Sequence, residues 1–244
     1  MDINGANQSG FTPLMIAAQQ GKTEVAEALI IQGACIDAQN HDGDTALLLA
    51  IRNSWEDTAR ALINSGADVN LRNFDCDTPL MLSAQGDGSI STARMLVSSG
   101  AKVNVKNNVG DTPLHKAAYY GLQDMAELLI LNGADVSAVN IKGETPLHMT
   151  VCYGWEDIAE LLVSSGARID ACDNAGETAL MRAISGNWES LVKLLASHGA
   201  CMKDIDTIGH KRKNSVFVTR ENAEIRTSAE NYYKFVKALE KQRT

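Results

Sequence analysis

The chain has 244 residues, a mass of 26.2 kDa and a formal net charge of −8 at pH 7. Its composition, 45% hydrophobic and 21% charged, is that of a folding chain and excludes an intrinsically disordered one. No stretch approaches the roughly 18 apolar residues of a membrane-spanning helix, and the N-terminus lacks the basic and apolar segments of a secretory signal. We therefore expect a cytoplasmic chain with no membrane insertion.

Charge is distributed unevenly along the chain. Residues 203–244 contain ten Lys or Arg and six Asp or Glu, whereas the first 202 residues contain 12 basic and 24 acidic residues. Because contacts to phosphate groups need a basic surface, this balance argues against nucleic-acid binding. It favours a neutral or basic protein partner.

The five cysteines are odd in number, and no two of them form a CxxC pair. Without a secretory signal, this pattern predicts reduced thiols rather than a disulfide framework. Cysteine packs as a small apolar residue, so most of the five are expected to be buried. They are Cys35, Cys76, Cys152, Cys172 and Cys201.

A five-residue segment recurs six times, at spacings of 33, 33, 34, 33 and 33 residues. A Gly-Ala pair recurs in parallel, starting at residues 33, 66, 100, 133, 166 and 199. Both series lengthen in the same copy, which predicts one inserted residue between Cys76 and Gly100, and the segment QGDGSIST (85–92) is the obvious place for it. The segments are GFTPL (10–14), GDTAL (43–47), CDTPL (76–80), GDTPL (110–114), GETPL (143–147) and GETAL (176–180).

Each copy predicts two helices followed by a hairpin turn. The threonine of the segment is a good N-cap, and proline suits the first helical position, where its missing N–H has no partner. The first helix buries residues at helical spacing, as Leu14, Ala17 and Ala18 do in the first copy. A second amphipathic helix ends at the Gly-Ala pair, where glycine supplies a left-handed cap. An extended, turn-rich stretch such as 67–73 then leads into the next copy.

The unit at 110–140, GDTPLHKAAYYGLQDMAELLILNGADVSAVN, resembles an ankyrin repeat. The resemblance covers residues 1–206 as six copies, the first preceded by a partial hairpin. It implies an all-α ankyrin-repeat solenoid of stacked helix–turn–helix units with projecting hairpin loops. Such a stack curves and presents an extended concave surface.

The third copy departs from the pattern. Cys76 stands where the other turns have glycine, which predicts an altered turn. Gly86 and Gly88 accompany the insertion and predict a longer loop between its two helices.

Residues 207–244 are predicted to form a degenerate seventh repeat, whose helix at 228–242 caps the stack with a polar outer face. The alternative is a separate partner-binding tail. The basic cluster at 210–213 is interpreted as a solvated loop, with a nuclear-import patch as the alternative. That alternative would extend the localisation to the nucleus.

No catalytic signature holds in this sequence. Gly86-Asp87-Gly88 lacks the third glycine of a dinucleotide loop, and no P-loop, HExxH or GxSxG motif occurs. Cysteine and histidine are too scattered for a zinc site. His115 and His148 occupy a position where the resemblance implies a bond to neighbouring backbone and threonine groups. We therefore predict no enzymatic activity, no cofactor and no metal.

The resemblance places the binding surface on the hairpin tips and on the exposed face of each first helix. Tyr119, Tyr120 and Tyr153 are the leading predicted anchors, because tyrosine gives a large contact area at low entropic cost. The alternative is ordinary packing between neighbouring first helices. The residue pairs that vary at this position are Gln19/Gln20, Arg52/Asn53, Gln85/Gly86, Tyr119/Tyr120, Cys152/Tyr153 and Ser185/Gly186.

The residue before the threonine is acidic in five of the six copies. An acid there complements the helix dipole, and a row of carboxylates along one rim would also attract a basic peptide. Phe74 and Ile141 are apolar at hairpin tips. Trp55, Trp155 and Trp188 share one position and are predicted to pack between helix pairs. The remaining predicted partner-binding residues are Arg52, Asn53, Phe74, Asp44, Asp77, Asp111 and Glu144.

The predicted function is a non-catalytic protein–protein interaction scaffold. It is expected to be a monomer that binds a protein or peptide, a basic one included, through its concave surface. Two alternatives are a masking inhibitor of its partner and a targeting or adaptor module excised from a larger enzyme, channel or effector. The opening Asp2-Ile3-Asn4, which matches the tail of a repeat, favours excision, whereas the helix at 228–242 favours a natural end.

Overall fold

The computed structural model describes residues 2–201 of the protein. In this range the chain forms twelve α-helices and no strand, with one isolated antiparallel bridge between Cys172 and Thr178. None of these helices has the length and apolar character needed to cross a membrane. The predicted degenerate repeat at 207–244 and the basic cluster at 210–213 lie outside the described residues.

The helices come in pairs, each with a first and a second helix as the sequence predicts. The first helices are α1 (Pro13–Gln19), α3 (Ala46–Arg52), α5 (Pro79–Ser83), α7 (Pro113–Tyr120), α9 (Pro146–Tyr153) and α11 (Ala179–Ser185). The second helices are α2 (Thr23–Ile31), α4 (Glu56–Asn64), α6 (Ile90–Ser98), α8 (Gln123–Leu131), α10 (Glu156–Ser164) and α12 (Glu189–Ser197).

The chain divides into two compact units, Met1–Asp135 and Val136–Thr244. The first unit contains α1 to α8, and the described part of the second contains α9 to α12. Within each unit, a first helix packs against the second helix of its own pair and against the first helix of the neighbouring pair.

Every first helix begins at a threonine, as predicted. The hydroxyl of Thr12 accepts the N–H of Met15 at 3.3 Å, and the other five threonines cap in the same way. Leu14, Ala17 and Ala18 are buried, and so are the equivalent positions in the later copies, except Ile184 in the sixth, which is half-buried. The alanines have little bulk, so neighbouring first helices approach each other closely.

One side chain holds each hairpin turn in place. In the first turn, Asn7 Oδ1 accepts the backbone N–H groups of Ser9 at 2.9 Å and Phe11 at 3.0 Å. The same oxygen accepts the N–H four residues ahead in the other five turns, at 2.8–3.0 Å. The residues that supply it are Asn40, Asn73, Asn107, Asn140 and Asp173.

Successive turns are also joined through their tips, the two residues that follow this side chain. The N–H of Phe74 donates to the carbonyl of Asp42 at 3.0 Å, and the N–H of Asn108 donates to that of Asp75 at 3.0 Å. These bonds fix the backbone of the tips within the first unit.

The third turn keeps the common path despite Cys76. Five turns have glycine at this position with φ between 75° and 80°, and Cys76 adopts φ of 60° in its place. The predicted alteration is therefore a residue held in the left-handed region, which is unfavourable for a side chain with a Cβ atom.

The insertion lies where the sequence predicts it. The N–H of Ser89 donates to the carbonyl of Ser83, six residues back, at 3.0 Å. The equivalent bond in the fourth copy, from Leu122 to Ala117, spans five residues. The extra residue therefore lengthens the loop between α5 and α6, and α5 is the shortest of the described helices.

The prediction of mostly buried cysteines is wrong. All five are free thiols, as predicted, but Cys35, Cys152 and Cys172 are exposed, and Cys76 and Cys201 are half-buried. The exposed thiols lie outside the helices at Cys35 and Cys172 and near the end of α9 at Cys152, where the rest of the fold does not cover them.

Replacing Cys76 by glycine should stabilise the protein. Glycine adopts positive φ without a Cβ penalty, and the greater freedom of the unfolded chain offsets part of that gain, so the expected net gain is about 0.5–1 kcal/mol. Urea unfolding of wild type and Cys76→Gly measures it. Cys76→Ala is the matched control, because it removes the thiol and keeps the Cβ. A glycine variant no more stable than the alanine variant would contradict the account.

Candidate functional site

The end of α7 presents two neighbouring aromatic side chains. Tyr119 and Tyr120 are 42% and 38% exposed, and their rings meet edge to face with centroids 4.9 Å apart. Gly121 ends the helix in the left-handed conformation, with φ of 74°, directly after this pair. Both predicted anchors therefore lie on a rigid helix end with large exposed areas.

Tyr153 occupies the same position in the second unit. It is the last residue of α9, is 44% exposed, and is followed by Gly154 with φ of 78°. It belongs to the same class of helix-end aromatic side chain as Tyr119 and Tyr120.

The predicted pair on α3 has partners within the protein. The Arg52 guanidinium forms a two-pronged ion pair with the Asp44 carboxylate, and its Nη2 donates to Asp44 Oδ1 at 2.9 Å. Asn53 donates from Nδ2 to the carbonyl of Leu49 at 2.8 Å and so gives a carbonyl in the last turn of α3 a hydrogen-bond partner. These polar groups hold α3 and its turn together.

The acidic row of the first unit also faces inward. Asp44 is only 1% exposed. Asp77 Oδ1 accepts a hydrogen bond from Nδ2 of Asn107, the turn residue of the following copy, at 2.8 Å. Asp111 forms an ion pair with Lys116 across 3.6 Å. The carboxylates that the sequence places along a rim therefore have partners within the fold, as helix and turn supports.

The first copy shows what happens where the row lacks an acid. The residue there is Phe11. Asn40, the turn residue of the next copy, is buried, and its Nδ2 has no hydrogen-bond partner among the described residues. In the next two copies the equivalent amide donates to the acid, Asn73 to Asp44 and Asn107 to Asp77.

A charged cluster in the second unit surrounds Arg182 on α11. Its Nη2 donates to Glu144 at 2.8 Å and to Asp173 at 2.5 Å, and its Nε lies 3.7 Å from Glu177. Its Nη1 contacts the sulfur of Cys152 at 3.2 Å. Glu144, the fourth predicted acid, is thus held by an arginine 38 residues ahead in the sequence.

The cluster shifts the pKa values of its carboxyl groups. Burial acts to raise the pKa of Glu144, but hydrogen bonds from Asn140 and Arg182 outweigh it and hold that pKa below its usual value. Burial likewise opposes ionisation of Asp173, and bonds from the Glu177 N–H and Arg182 lower its pKa. Burial acts to lower the pKa of Arg182, but its bonds to the Glu144 and Asp173 carboxylates outweigh burial and raise that pKa. All three groups are therefore charged at neutral pH.

His148 is part of the framework, as predicted. Its Nδ1 accepts the N–H of Thr145 at 3.1 Å, and its Nε2 lies 3.1 Å from the carbonyl of Glu177. Burial lowers the pKa of the imidazole, so it is neutral, and a neutral ring with Nδ1 as acceptor donates from Nε2. Both ring nitrogens are thereby satisfied.

The apolar tip residues are open to solvent. Phe74 is 68% exposed in the first unit, and Ile141 is 63% exposed in the second. The tryptophans combine packing with partial exposure: the Trp55 indole N–H donates to the carbonyl of Gln19 at 3.0 Å, and its ring lies against Gly21. Within residues 2–201, no three His, Cys, Asp or Glu side chains are grouped to hold a metal ion.

Sequence reasoning missed Arg182, Asp173 and the turn amides of Asn73 and Asn107. The signal for Arg182 was present, because it is a cation on a first-helix position occupied by leucine in two other copies. Its carboxylate partners lie in two different turns, and repeat alignment alone does not reveal that they converge.

The chain was compared with protein-family models, with curated protein sequences and with solved structures. A family model described as "Ankyrin repeats (3 copies)" matches residues 1–73, 72–140 and 130–206. A comparison with curated protein sequences found no match. Solved structures are also similar to this chain.

Three of these structures are ankyrin repeat domains. One from Acinetobacter baumannii is 31% identical, with a TM-score of 0.73, covering 78% of this chain and 98% of its own. The domain of Bcl-3, described as a member of the IkappaB protein family, is 30% identical, with a TM-score of 0.71 and coverages of 80% and 89%. The human ASB11 domain is 27% identical, with a TM-score of 0.71 and coverages of 79% and 86%.

Replacing Arg182 by methionine should destabilise the second unit in a pH-dependent way. At pH 7 we expect a loss of about 2–4 kcal/mol, because two largely buried carboxylates lose their cation. The folded pKa values of Glu144 and Asp173 are lowered, so their stabilisation is present above the unfolded pKa and is lost as the pH falls through the folded pKa. The difference between wild type and Arg182→Met should therefore shrink below about pH 4.

Denaturant unfolding between pH 7 and pH 3 measures this difference. Arg60→Met is the matched control, because Arg60 forms only exposed ion pairs with Glu56 and Asp57 on α4. Its expected cost is below about 1 kcal/mol. A cost for Arg182→Met that stays constant down to pH 3 would contradict the assigned charges.

Proposed function

The chain belongs to the ankyrin-repeat family, and we propose that it binds a partner protein through the ends of its first helices and its turn tips. Ankyrin repeat domains are generally non-enzymatic protein–protein interaction modules. Repeating framework positions build such a module, and non-repeating exposed positions give it specificity. For this chain the non-repeating positions include Gln19/Gln20, Arg52/Asn53 and Tyr119/Tyr120.

The tyrosine pair on α7 is the observation that carries the proposal. Both rings are ordered against each other at 4.9 Å, and each keeps about two-fifths of its surface exposed. A partner that covers them buries aromatic area without the entropic cost of ordering a flexible side chain. Tyrosine is also among the residues most often found at the energetic centre of interfaces.

The acids before the threonines contribute less directly to binding. Asp44, Asp77, Asp111 and Glu144 already have internal partners, so a ligand would have to break those bonds to use them. Breaking a buried pair leaves an uncompensated charge, which is unfavourable. We therefore propose that these four support the contact surface, and that exposed residues such as Phe74 make the contact.

A masking inhibitor and a targeting module of a larger protein would both use this surface. The two differ in what the partner does once bound. Identifying the partner therefore assigns the role, and the surface itself is tested independently of it.

The test compares the wild type with Tyr119→Ala/Tyr120→Ala. Both proteins are immobilised, partners are captured from lysate, and the dissociation constant is measured with the purified partner. We expect the double variant to weaken binding at least tenfold, because one interface tyrosine commonly contributes more than about 1 kcal/mol. Tyr153→Ala, measured separately, reports whether the surface includes the second unit.

Ile31→Ala/Leu131→Ala is the matched control. These residues are 86% and 84% exposed at the ends of α2 and α8, so the control also removes exposed apolar area, but from second helices. Circular dichroism verifies that all variants fold. Equal binding by wild type and the tyrosine variant would refute the assigned surface, and failure of the wild type to retain any partner would refute the binding function.

A further inference from the structure

The turn tips of the first unit form a continuous edge whose backbone is held by hydrogen bonds. The proposed function assigns contacts to only some of the side chains on this edge. The Phe74 N–H donates to the carbonyl of Asp42 at 3.0 Å, and the Asn108 N–H donates to that of Asp75 at 3.0 Å. The Asn108 side chain also donates from Nδ2 to the Phe74 carbonyl at 2.8 Å. Three consecutive tips, those of the second, third and fourth copies, are thereby linked. Their side chains project from an ordered backbone.

Phe74 is the most exposed aromatic side chain among residues 2–201. It is 68% exposed, yet its position is constrained, because a Cβ atom added at Gly43 would lie 2.8 Å from Phe74 Cδ1. The ring therefore rests on the glycine of the preceding turn. Val109, at the next tip, is 46% exposed and extends the apolar surface.

The two carboxylates beside Phe74 differ from the acids before the threonines. Asp42 and Asp75 are exposed. Among residues 2–201, neither carboxylate forms an ion pair, although the exposed cation Arg72 precedes the same tip as Asp75. The acids at 44, 77 and 111 have internal partners. The open negative charge of this edge is therefore at the tips, on either side of an exposed aromatic ring.

We propose that this edge binds an extended basic segment of a partner protein, in which an apolar side chain lies between Lys or Arg residues. The proposal rests on the proposed function and specifies its partner. The apolar side chain contacts Phe74 and Val109, and the cations pair with Asp42 and Asp75. An Arg also stacks on the Phe74 ring, because guanidinium groups are attracted to aromatic faces.

The repeat spacing limits the length of that segment. Neighbouring packed helices are about 8–10 Å apart, so tips one copy apart are separated by a similar distance. An extended chain advances about 3.3 Å per residue. The two cations of the partner are therefore expected within about four residues of each other.

The charge of the surrounding protein favours a basic polypeptide. The first 202 residues contain twice as many acidic as basic residues, which attracts cationic segments and repels phosphate backbones. A protein segment therefore fits this edge, and a nucleic acid does not.

A displayed library of random 12-residue peptides tests the proposal with the full chain as the target. We expect the enriched peptides to contain an apolar residue with Lys or Arg within about four positions of one another. A synthetic peptide of the most enriched sequence is then titrated against the variants. Asp42→Asn/Asp75→Asn and Phe74→Ser should each weaken its binding about tenfold. Raising the salt concentration should weaken binding to the wild type more than binding to the charge variant.

Two matched controls keep the result specific. Glu27→Gln/Asp124→Asn removes two exposed carboxylates from second helices, and Ile31→Ser removes an exposed apolar side chain. Both should bind the peptide as the wild type does. Enriched peptides without basic residues, or peptides that bind the tip variants and the wild type equally, would overturn this inference and leave the proposed function intact. A library that yields no binding peptide would overturn the inference, whereas the proposed function fails only in the lysate experiment above.

Discussion

The structure depends on one side-chain oxygen in each turn. An asparagine, or Asp173 in the sixth copy, accepts the backbone N–H four residues ahead and closes the turn before each first helix. This closure directs the next acid toward the body of the repeat and leaves the tip residues pointing outward. Because of this closure, the acids before the threonines have partners inside the fold, whereas the acids at the tips are exposed to solvent. Asp44 is buried against Arg52, whereas Asp42, two residues earlier, is exposed.

The helix boundaries could be predicted from the sequence because local chemistry determines them. Threonine, proline and glycine act within one helical turn of their own position, so Thr12 and Gly121 could be interpreted without knowledge of their neighbours. The repeat spacing alone confines the inserted residue to the interval between Cys76 and Gly100, and the Ser89–Ser83 hydrogen bond places it in the loop before α6, which overlaps the predicted segment 85–92.

The partners and the exposure of the charged residues could not be predicted in the same way. Glu144 and Arg182 are 38 residues apart, and Asn107 reaches Asp77 across 30. Whether a carboxylate is available depends on partners in the adjacent repeat, and those partners differ between copies: arginine, lysine or an amide. The exposure of the cysteines was missed for a related reason. The apolar character of cysteine predicts burial, whereas the path of the turns and the end of α9 leave three of the five thiols exposed.

Together these observations describe a protein whose repeating residues support the fold and whose non-repeating exposed residues are available for contact. The most direct test is to map backbone amide shifts by NMR when a captured partner is added. We expect shifts at Phe74, Asp75, Tyr119 and Tyr120, with the second helices α2 and α8 unchanged. Shifts centred on those second helices, with the tips and tyrosines unaffected, would contradict the assigned contact surface.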